Sequence, residues 1–247
     1  MGSGPGAHLH VEGTTLLHRM SPHTKLVGLL AFVVLVVSVP RDATVALLAL
    51  LLLAVAVLLS ARVPARSVLP RLAVELPFLL FALLLPFVAL GPLTVSQPGV
   101  EAAGALVLKG TAGVVAAVAF SVTTRPRDLV RALQHLRVPD PLVVIASFMV
   151  RYVDVVTDQL RRMRVARASR GFRATSVRSW PVLAAGTGAL FIRSYERGER
   201  VHLAMVSRGW SGRMPVTAPL AAAPREWAVA LVPAALAAAV SVGVRLG

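Results

Sequence analysis

Cysteine is absent from this chain of 247 residues, and tyrosine, lysine and acidic residues are scarce. Without cysteine there is no disulfide framework and no thiolate site for zinc or redox chemistry. The sequence also lacks a Gly-x-x-x-x-Gly-Lys-Ser/Thr phosphate loop, a His-Glu-x-x-His motif and a Gly-x-Ser-x-Gly motif. The carboxylates of residues 125–225 are scattered beside arginines and do not form the paired aspartates that hold magnesium. These absences point away from an enzyme, and we expect no cofactor or metal bound by the chain itself.

The charge is strongly basic, with 26 Lys and Arg against 11 Asp and Glu, a formal net charge of +15. Such a charge can indicate nucleic-acid binding, but that function needs a soluble basic face with exposed aromatic side chains. Here 56% of the residues are hydrophobic, the mean hydropathy is +0.75, and the basic residues lie between long apolar runs. The composition is that of an integral membrane protein, and no nucleic-acid partner is expected.

Five segments are long and apolar enough to be membrane helices, at about 25–40, 43–60, 72–95, 101–123 and 226–244. Arginine and lysine occur in every second connection, and 125–225 alone carries eighteen arginines. Because cytoplasmic loops are enriched in these residues, the pattern predicts that the N-terminus and this long insert are cytoplasmic. We therefore predict an all-α integral membrane protein with a polar lead (1–24), a four-helix membrane part (25–124), a cytoplasmic helical module (125–225) and a final transmembrane helix (226–247).

The sequence alone leaves two questions undecided: the partners of two charged residues in the spans, and the role of the histidines in the lead. Glu75 and Lys109 lie inside or near the third and fourth spans, where charged side chains are usually buried against a partner. The two could pair with each other, or Glu75 could lie at the membrane interface. The lead contains three histidines at irregular spacing, and we interpret them as a chance cluster and not as a metal site: His8, His10 and His18. The lead also lacks the short apolar core of a signal peptide.

The insert repeats one design twice: each time a helix begins apolar, becomes charged and ends at a glycine. A short amphipathic helix beginning at Pro126 precedes them and is expected to lie along the membrane surface. The two long amphipathic helices carry charges at i, i+3 and i, i+4 spacing, where ion pairs such as Asp158 with Arg162 can form. These charged faces are Arg151, Asp154, Asp158 and Arg162 on the first helix, and Arg193, Glu196, Arg197 and Arg200 on the second.

Each long helix ends in Ser-Arg-Gly followed by an aromatic residue, as Ser169-Arg170-Gly171 and again as Ser207-Arg208-Gly209. Glycine is the usual left-handed residue after a helix, and arginine is favoured near its C-terminal dipole. One such motif could be a simple helix cap. Two copies in matching contexts indicate paired contacts with two similar acidic partners. Arg167, in the preceding Ala-Arg-Ala, is an alternative register for the first motif.

These motifs resemble the transmembrane T component of energy-coupling factor (ECF) transporters, the EcfT/CbiQ family, and most closely the cobalt-type CbiQ branch. The stretch HRMSPHTKL, with Pro22 and Lys25, is similar to that family's N-terminal motif. The stretches RALQHLRVPDPLVVIASFMVRYVDVVTDQLRRMRVARASRG and FIRSYERGERVHLAMVSRGWSGRMP resemble its two coupling segments. The two Ser-Arg-Gly motifs match the family's pair of Ala-Arg-Gly-like motifs, with serine in place of the first alanine.

The resemblance implies a non-catalytic subunit in a prokaryotic plasma membrane, surrounded by lipid. It would join two ABC-type ATPase subunits, which bind ATP and magnesium, to one membrane S component that binds cobalt, nickel or a vitamin. In such proteins each motif docks on one ATPase, with its arginine facing acidic residues. Two alternatives remain: a conventional ABC permease with its own substrate path, and a membrane enzyme that binds phosphorylated lipids. The permease would need one coupling segment per subunit, and the enzyme would need clustered metal-binding carboxylates.

Overall fold

The computed structural model describes residues 13, 15–88, 96–172, 176–214 and 222–246. Within this part of the chain the regular structure is helical and no strand occurs, which confirms the predicted all-α class. The described residues fall into two compact units, one of 15–132 with 222–246 and the other of 133–172 with 176–214. The helices are α1 (Leu16–Arg19), α2 (Pro22–Ser38), α3 (Thr44–Ser60), α4 (Ala65–Leu72), α5 (Leu76–Val88), α6 (Gln97–Thr123), α7 (Pro126–His135), α8 (Asp140–Ser169), α9 (Trp180–Val206) and α10 (Pro224–Leu246).

Helix α6 is central to the first unit, because α2, α3, α4 and α5 all pack against it, while α10 packs against α2 and α3. The contact is made by small and branched apolar side chains. Phe32, Leu47 and Leu50 are at most 3% exposed, and Ala112 on α6 is fully buried. Small residues on α6 allow neighbouring helices to approach closely, as is usual where helices associate within a bilayer.

The outer surface of this unit is apolar, the reverse of a water-soluble protein. On α5, Phe78, Leu80 and Leu83 are each more than 60% exposed, whereas Ala82 beside them is buried. Three described helical stretches are long and apolar enough to cross a bilayer, and α2 and α3 are apolar helices of 17 residues. A 17-residue helix is at the short end of the spanning range. Together these five apolar helices form a multi-pass membrane protein, with the exposed side chains of α5 in a position to face lipid.

Side chains from other helices form hydrogen bonds with backbone groups at both ends of α2. At its start the backbone N–H of Ser21 donates to Oε2 of Glu226 at 3.0 Å, and at its end the guanidinium of Arg245 donates to the carbonyl of Ser38 at 3.1 Å. Lys109 Nζ donates to two further carbonyls of this end, at 3.0 and 2.6 Å. Acidic groups at a helix start and cations at its end also complement the helix dipole. Since Glu226 begins α10 and Arg245 ends it, α2 and α10 run parallel.

The possible pair of Glu75 with Lys109 does not form. Lys109 reaches the end of α2, as described above, while Glu75 is buried and its Oε1 accepts a hydrogen bond of 2.7 Å from the hydroxyl of Thr111. Each charged side chain is thus held by a neutral polar group. A backbone carbonyl leaves no trace in the side-chain sequence, so this partner of Lys109 could not be read from charge spacing.

The predicted third span, 72–95, is corrected at its start. Helix α4 already begins at Ala65, and a 3-10 turn over Ala73–Glu75 separates α4 from α5, so the apolar stretch of span length is Ser67–Phe87. Proline has no N–H for the helical ladder, and Pro77 just after the turn accounts for the local tightening. The last part of the predicted span, 89–95, lies outside the described residues, as do His8 and His10.

Three other spans begin slightly earlier than predicted, for local reasons. Helix α2 starts at Pro22 and not at 25, because proline is suited to a first helical position. Helix α6 starts at Gln97 and not at 101, because the Ser96 side chain accepts a hydrogen bond from the Gly99 N–H at 3.4 Å and caps the helix. Helix α10 covers Pro224–Leu246 against the predicted 226–244.

The second unit is built mainly from α8 and α9, which run antiparallel. Tyr152 of α8 and Val201 of α9 line one cleft, whereas a Cβ placed on Gly186 of α9 would lie 3.6 Å from Cε of Met163 on α8. The C-terminal part of each helix therefore contacts the N-terminal part of the other. Large apolar side chains along both helices, such as Phe191, remain more than half exposed. The surface of this unit is thus rich in uncovered apolar groups.

Candidate functional site

The first Ser-Arg-Gly motif forms a Schellman end of α8. Gly171 has a φ of +75°, and its N–H donates to the carbonyl of Ala168 at 3.0 Å, while the N–H of Phe172 donates to the carbonyl of Arg167 at 3.1 Å. These are the two bonds that define a Schellman motif, and they satisfy carbonyls that a helix end otherwise leaves open. The predicted left-handed glycine cap is therefore present. Arg170 lies between the helix and this glycine, with its side chain exposed.

The second motif repeats this geometry bond for bond at the end of α9. Gly209 has a φ of +78°, its N–H donates to the carbonyl of Val206 at 2.9 Å, and the N–H of Trp210 donates to the carbonyl of Met205 at 3.0 Å. The side chain of Arg208 is exposed, like that of Arg170. The two ends are equivalent in backbone conformation as well as in sequence.

The serine of each motif plays the same local part. Ser169 Oγ donates to the carbonyl of Ala166 at 3.0 Å, and Ser207 Oγ donates to the carbonyl of Ala204 at 3.1 Å. A serine hydroxyl that bonds back into its own helix competes with solvent for the carbonyl and holds the last turn together. In both motifs the serine thus faces the helix, and the arginine is the group left available to a partner.

Arg167, the alternative register of the first motif, is directed differently. Its Nε donates to the carbonyl of Met163 at 3.2 Å, and one terminal nitrogen, Nη1, is buried without a hydrogen-bond partner in the described part of the chain. A Cβ placed on Gly186 would lie 3.2 Å from that nitrogen. The guanidinium therefore packs between α8 and α9, which favours Arg170 over Arg167 as the exposed contact residue. The roles of these residues stay predictions.

The charged faces form short ion pairs along each helix. Asp158 Oδ2 accepts a hydrogen bond from Arg162 Nε at 2.8 Å, as the spacing predicts, and Asp158 Oδ1 lies 3.4 Å from a guanidinium nitrogen of Arg161. The hydrogen bond from Arg162 holds the pKa of the Asp158 carboxyl below its usual value. On α9 the charges on Glu196 and Arg200 are 3.9 Å apart. Asp154 and Arg193 lie exposed on the same two helices.

Two of the predicted face residues also line clefts between α8 and α9. Arg151 lines a cleft of about 410 Å³ that Arg208 also lines. Arg197 lines a second cleft, of about 440 Å³, together with Tyr152 and Trp210. Exposed surface pairs such as those of the charged faces contribute little to stability. Arginines beside apolar clefts are better placed to contact another molecule.

The two Ser-Arg-Gly ends lie at opposite ends of the antiparallel helix pair. The end of α8 contacts α9 near Gly186, through Arg167, and the second motif lies 21 positions further along α9 at Ser207. At 1.5 Å per residue the two motifs are about 30 Å apart. A single small ligand cannot bridge that distance.

The N-terminal motif residues hold the membrane unit. Pro22 begins α2, and Lys25 Nζ donates to the carbonyl of Thr123, the last residue of α6, at 3.0 Å. Lys25 is 9% exposed, so this cation is buried on the C-terminal carbonyls of α6, where the helix dipole favours it. Sequence reasoning singled out this lysine but not its partner.

Side chains able to bind a metal are not clustered in the described residues. They contain no group of three or more His, Asp or Glu side chains able to hold a metal ion. Of the three histidines in the lead, His18 is described, and its Nδ1 lies 2.7 Å from the hydroxyl of Thr15. The clustered carboxylates expected of a metal-dependent lipid enzyme are likewise not found in this part of the chain.

Comparison with known proteins agrees with the family that the motifs suggested. The family described as cobalt transport protein, CbiQ, matches residues 13–217. The cobalt transport protein CbiQ of Rhodobacter capsulatus is 30% identical over 193 residues, which cover 77% of this chain and 78% of the relative. The energy-coupling factor transporter transmembrane protein EcfT of Bacillus subtilis is 26% identical over 227 residues, covering 82% of this chain and 83% of the relative.

A third relative is of a different kind. A putative ABC transporter ATP-binding protein of Bifidobacterium longum is 25% identical over 179 residues, which cover 64% of this chain but 22% of that protein. The similarity thus extends from membrane transport components to part of a longer chain named for ATP binding. Given the family match over most of its length and the coverage of the Rhodobacter relative, the chain belongs to the CbiQ family of cobalt transport proteins, alongside the transmembrane proteins of energy-coupling factor transporters.

Proposed function

We propose that this chain is the energy-coupling T subunit of an ECF-type ABC importer. It transmits the ATP-driven motion of two ATPase subunits to a substrate-binding S component and has no catalytic activity of its own. One observation carries the proposal: the two Ser-Arg-Gly motifs form equivalent Schellman ends at opposite ends of one antiparallel helix pair. Each end presents one exposed arginine, Arg170 or Arg208.

Each end is suited to a protein partner that carries carboxylates. A guanidinium binds a carboxylate through two parallel hydrogen bonds in a fixed fork, a contact that keeps its geometry while the partner moves. A Cβ placed on Gly171 or Gly209 would have no other atom within 4 Å, so the backbone beside each arginine is open to close approach. The separation of about 30 Å, from the rise per residue of an α-helix, supports one ATPase subunit at each end.

The stiffness of α8 and α9 supports transmission. They are continuous helices of 30 and 27 residues, so a displacement at one end is carried along the helix. ATP and magnesium are bound by the ATPase subunits, and closure of these subunits moves the two ends. The exposed apolar side chains of the helix pair, Phe191 among them, provide a surface for the S component, which then reorients and releases its substrate. The similarity to part of an ATP-binding protein supports the ATPase partners.

The proposed location is a prokaryotic plasma membrane, with the N-terminus and the 125–225 module in the cytoplasm. The excess of arginine in that module supports this orientation. The parallel course of α2 and α10 is consistent with it, since the first and last spans then cross in the same direction. Cobalt is the proposed substrate, because the matched family and the Rhodobacter relative are both described as cobalt transport proteins.

The test replaces each motif arginine and a matched control. The variants are Arg170→Ala and Arg208→Ala, singly and together, with Arg193→Ala as an exposed arginine within α9 and away from both ends. Copurification of the ATPase subunits, ATP hydrolysis in proteoliposomes and uptake of radioactive cobalt are measured. We expect each motif variant to weaken ATPase binding and to uncouple hydrolysis from uptake, and the control to behave as wild type.

Two outcomes decide between proposals. If both motif variants copurify with the ATPases and support full uptake, the coupling role is wrong. If coupling is lost but the transported substrate is a vitamin or nickel, the T-subunit role stands and the cobalt assignment is wrong. Identification of the S component that copurifies with the chain distinguishes these cases.

A further inference from the structure

The second motif lies in a cleft that contains another arginine. The cleft, about 410 Å³ in volume, is formed by the first half of α8, the end of α9 and the segment that follows α9. The apolar side chains that line it include aromatic, thioether and aliphatic groups: Phe148, Tyr152, Val201, Ala204, Met205 and Met214. Arg208 of the motif and Arg151 of α8 both line the same cleft. The site therefore combines an apolar floor with two guanidinium groups.

The described residues supply no carboxylate partner for either guanidinium group. Both side chains are exposed, and among the described residues neither Arg151 nor Arg208 forms an ion pair with a carboxylate of this chain. Asp158, by contrast, is bonded to its neighbouring arginines. A pair of like charges beside one small cleft is unfavourable unless an anion binds there. The charge of the cleft thus selects an acidic occupant.

The cleft is held open by contacts that do not involve either arginine. Arg213 Nε lies 2.9 Å from Oδ2 of Asp140, which ties the segment after α9 to the first residue of α8. Trp210 Nε1 donates to the carbonyl of Arg213 at 3.1 Å, and the Trp210 ring packs edge-on against His202 at 5.8 Å between centroids. These contacts place Met214 as one wall of the cleft. A preformed cleft binds without the entropy cost of ordering its walls.

The first motif has a different environment. There the nearby arginine, Arg167, is turned inward against Gly186 and bonded to the carbonyl of Met163. It is therefore committed to the contact between α8 and α9. The two Schellman ends are equivalent in backbone but differ in what surrounds the exposed arginine.

We propose that Arg151 is a second partner-binding residue at the Arg208 end, and that the two arginines together receive an acidic segment of one ATPase subunit. This inference rests on the proposed function. The inserted ATPase segment carries an apolar side chain, which fills the cleft over Phe148 and Tyr152. It also carries one or more carboxylate groups, which both guanidinium groups contact. The ATPase site at Arg208 consequently depends more strongly on charge than the site at Arg170.

The test measures binding of the purified ATPase subunits to the full-length chain in detergent, at low and at high salt. The variants are Arg151→Gln, Arg208→Gln and both together, with Arg193→Gln as the matched exposed control. We expect Arg151→Gln and Arg208→Gln each to weaken binding roughly three- to tenfold, the range of a charge-assisted contact at a partly exposed site. Arg151→Gln should also flatten the salt dependence, and the double variant should lose less than the product of the single effects, because one acidic segment is shared.

The outcomes separate this inference from the proposed function. If Arg208→Gln weakens binding while Arg151→Gln behaves like the control, the two-arginine cleft is wrong and the coupling role stands. If neither variant weakens binding, both proposals fail. If Arg151→Gln lowers binding to phosphatidylglycerol vesicles but not to the ATPases, Arg151 belongs to a lipid site and the inference is overturned.

A second variant guards against misfolding. Arg151→Lys keeps the charge but removes the planar fork, so it should retain part of the affinity and most of the salt dependence. If Arg151→Lys, with wild-type helicity by circular dichroism, binds the ATPases no better than Arg151→Gln, charge is not what the cleft contributes and the inference fails. Intermediate binding supports it.

Discussion

The glycine that ends each coupling helix gives a sharp test of how the adjacent arginine is held. Gly209 has a φ of +78°, a conformation that costs an L-residue about 1–2 kcal/mol. A Cβ at this position would have no other atom within 4 Å, so a substitution adds no steric clash and the whole cost is conformational. Gly209→Ala should therefore destabilise the Schellman end by about 1–2 kcal/mol, which reduces its population roughly 5- to 30-fold relative to the frayed end.

The replacement of the same glycine by asparagine isolates the cause. Asparagine also adds a Cβ but tolerates the left-handed conformation, so Gly209→Asn should cost clearly less than Gly209→Ala. Gly198→Ala is the matched control, because Gly198 lies in the interior of α9 with no atom within 4 Å of its Cβ position. Inside a helix the change from glycine to alanine favours the helical state, so this control should have the opposite sign.

Two measurements read the effect. Hydrogen exchange reports the opening of the two capping bonds directly, because the amides of Gly209 and Trp210 donate them. Affinity for the ATPase subunits reports whether Arg208 must be presented by the capped end. The fold loss of affinity in Gly209→Ala cannot exceed the fold drop in the population of the capped end of α9. Equal exchange rates in the Ala and Asn variants, or wild-type exchange in Gly209→Ala, would refute the reasoning.

Two further predictions concern stability. A Cβ on Gly28 would lie 2.4 Å from the backbone oxygen of Ala230, so Gly28→Ala should separate α2 from α10 and cost about 1–3 kcal/mol, seen as a lower melting temperature in detergent; Gly113→Ala, with open space at its Cβ, should not. Because the hydrogen bond from Arg162 lowers the pKa of Asp158, the contribution of this carboxylate is complete above a pH of about 4 and is lost as the pH falls through its lower folded value. The small difference in melting temperature between wild type and Asp158→Asn should accordingly shrink towards zero at acid pH, and a difference that grows with acid would contradict the ion pair.

The helix ends were predictable from sequence because their determinants are local. The glycine that follows the last turn of each long helix predicted the caps at Gly171 and Gly209, and the structure has both with positive φ. The sequence could not predict which arginine of the first motif is exposed. Arg167 and Arg170 are the same residue type, and only the structure shows that Arg167 turns towards α9. Gly186 on α9 decides that direction, because the missing side chain leaves room for the Arg167 guanidinium.

Partners distant in sequence, or without a side-chain signature, were missed. Lys109 and Lys25 each donate to backbone carbonyls at the end of another helix, and charge spacing cannot reveal such acceptors. The cleft that brings Arg151 of α8 beside Arg208 of α9 joins residues more than 50 positions apart, so spacing along one helix could not reveal it. The 3-10 turn over Ala73–Glu75 that divides the third span lies just before Pro77, which has no N–H to donate to the helical ladder.

The dual capping of α2 has a consequence for the order in which the protein assembles. Helix α2 precedes the other long apolar helices in the sequence, yet its start is bonded to Glu226 and its end to Arg245, both on α10. During synthesis these polar groups of α2 must stay without their final partners until α10 has been made. Formation of the bundle is therefore completed by α10, and a chain stopped before α10 leaves these groups at both ends of α2 without their partners on α10.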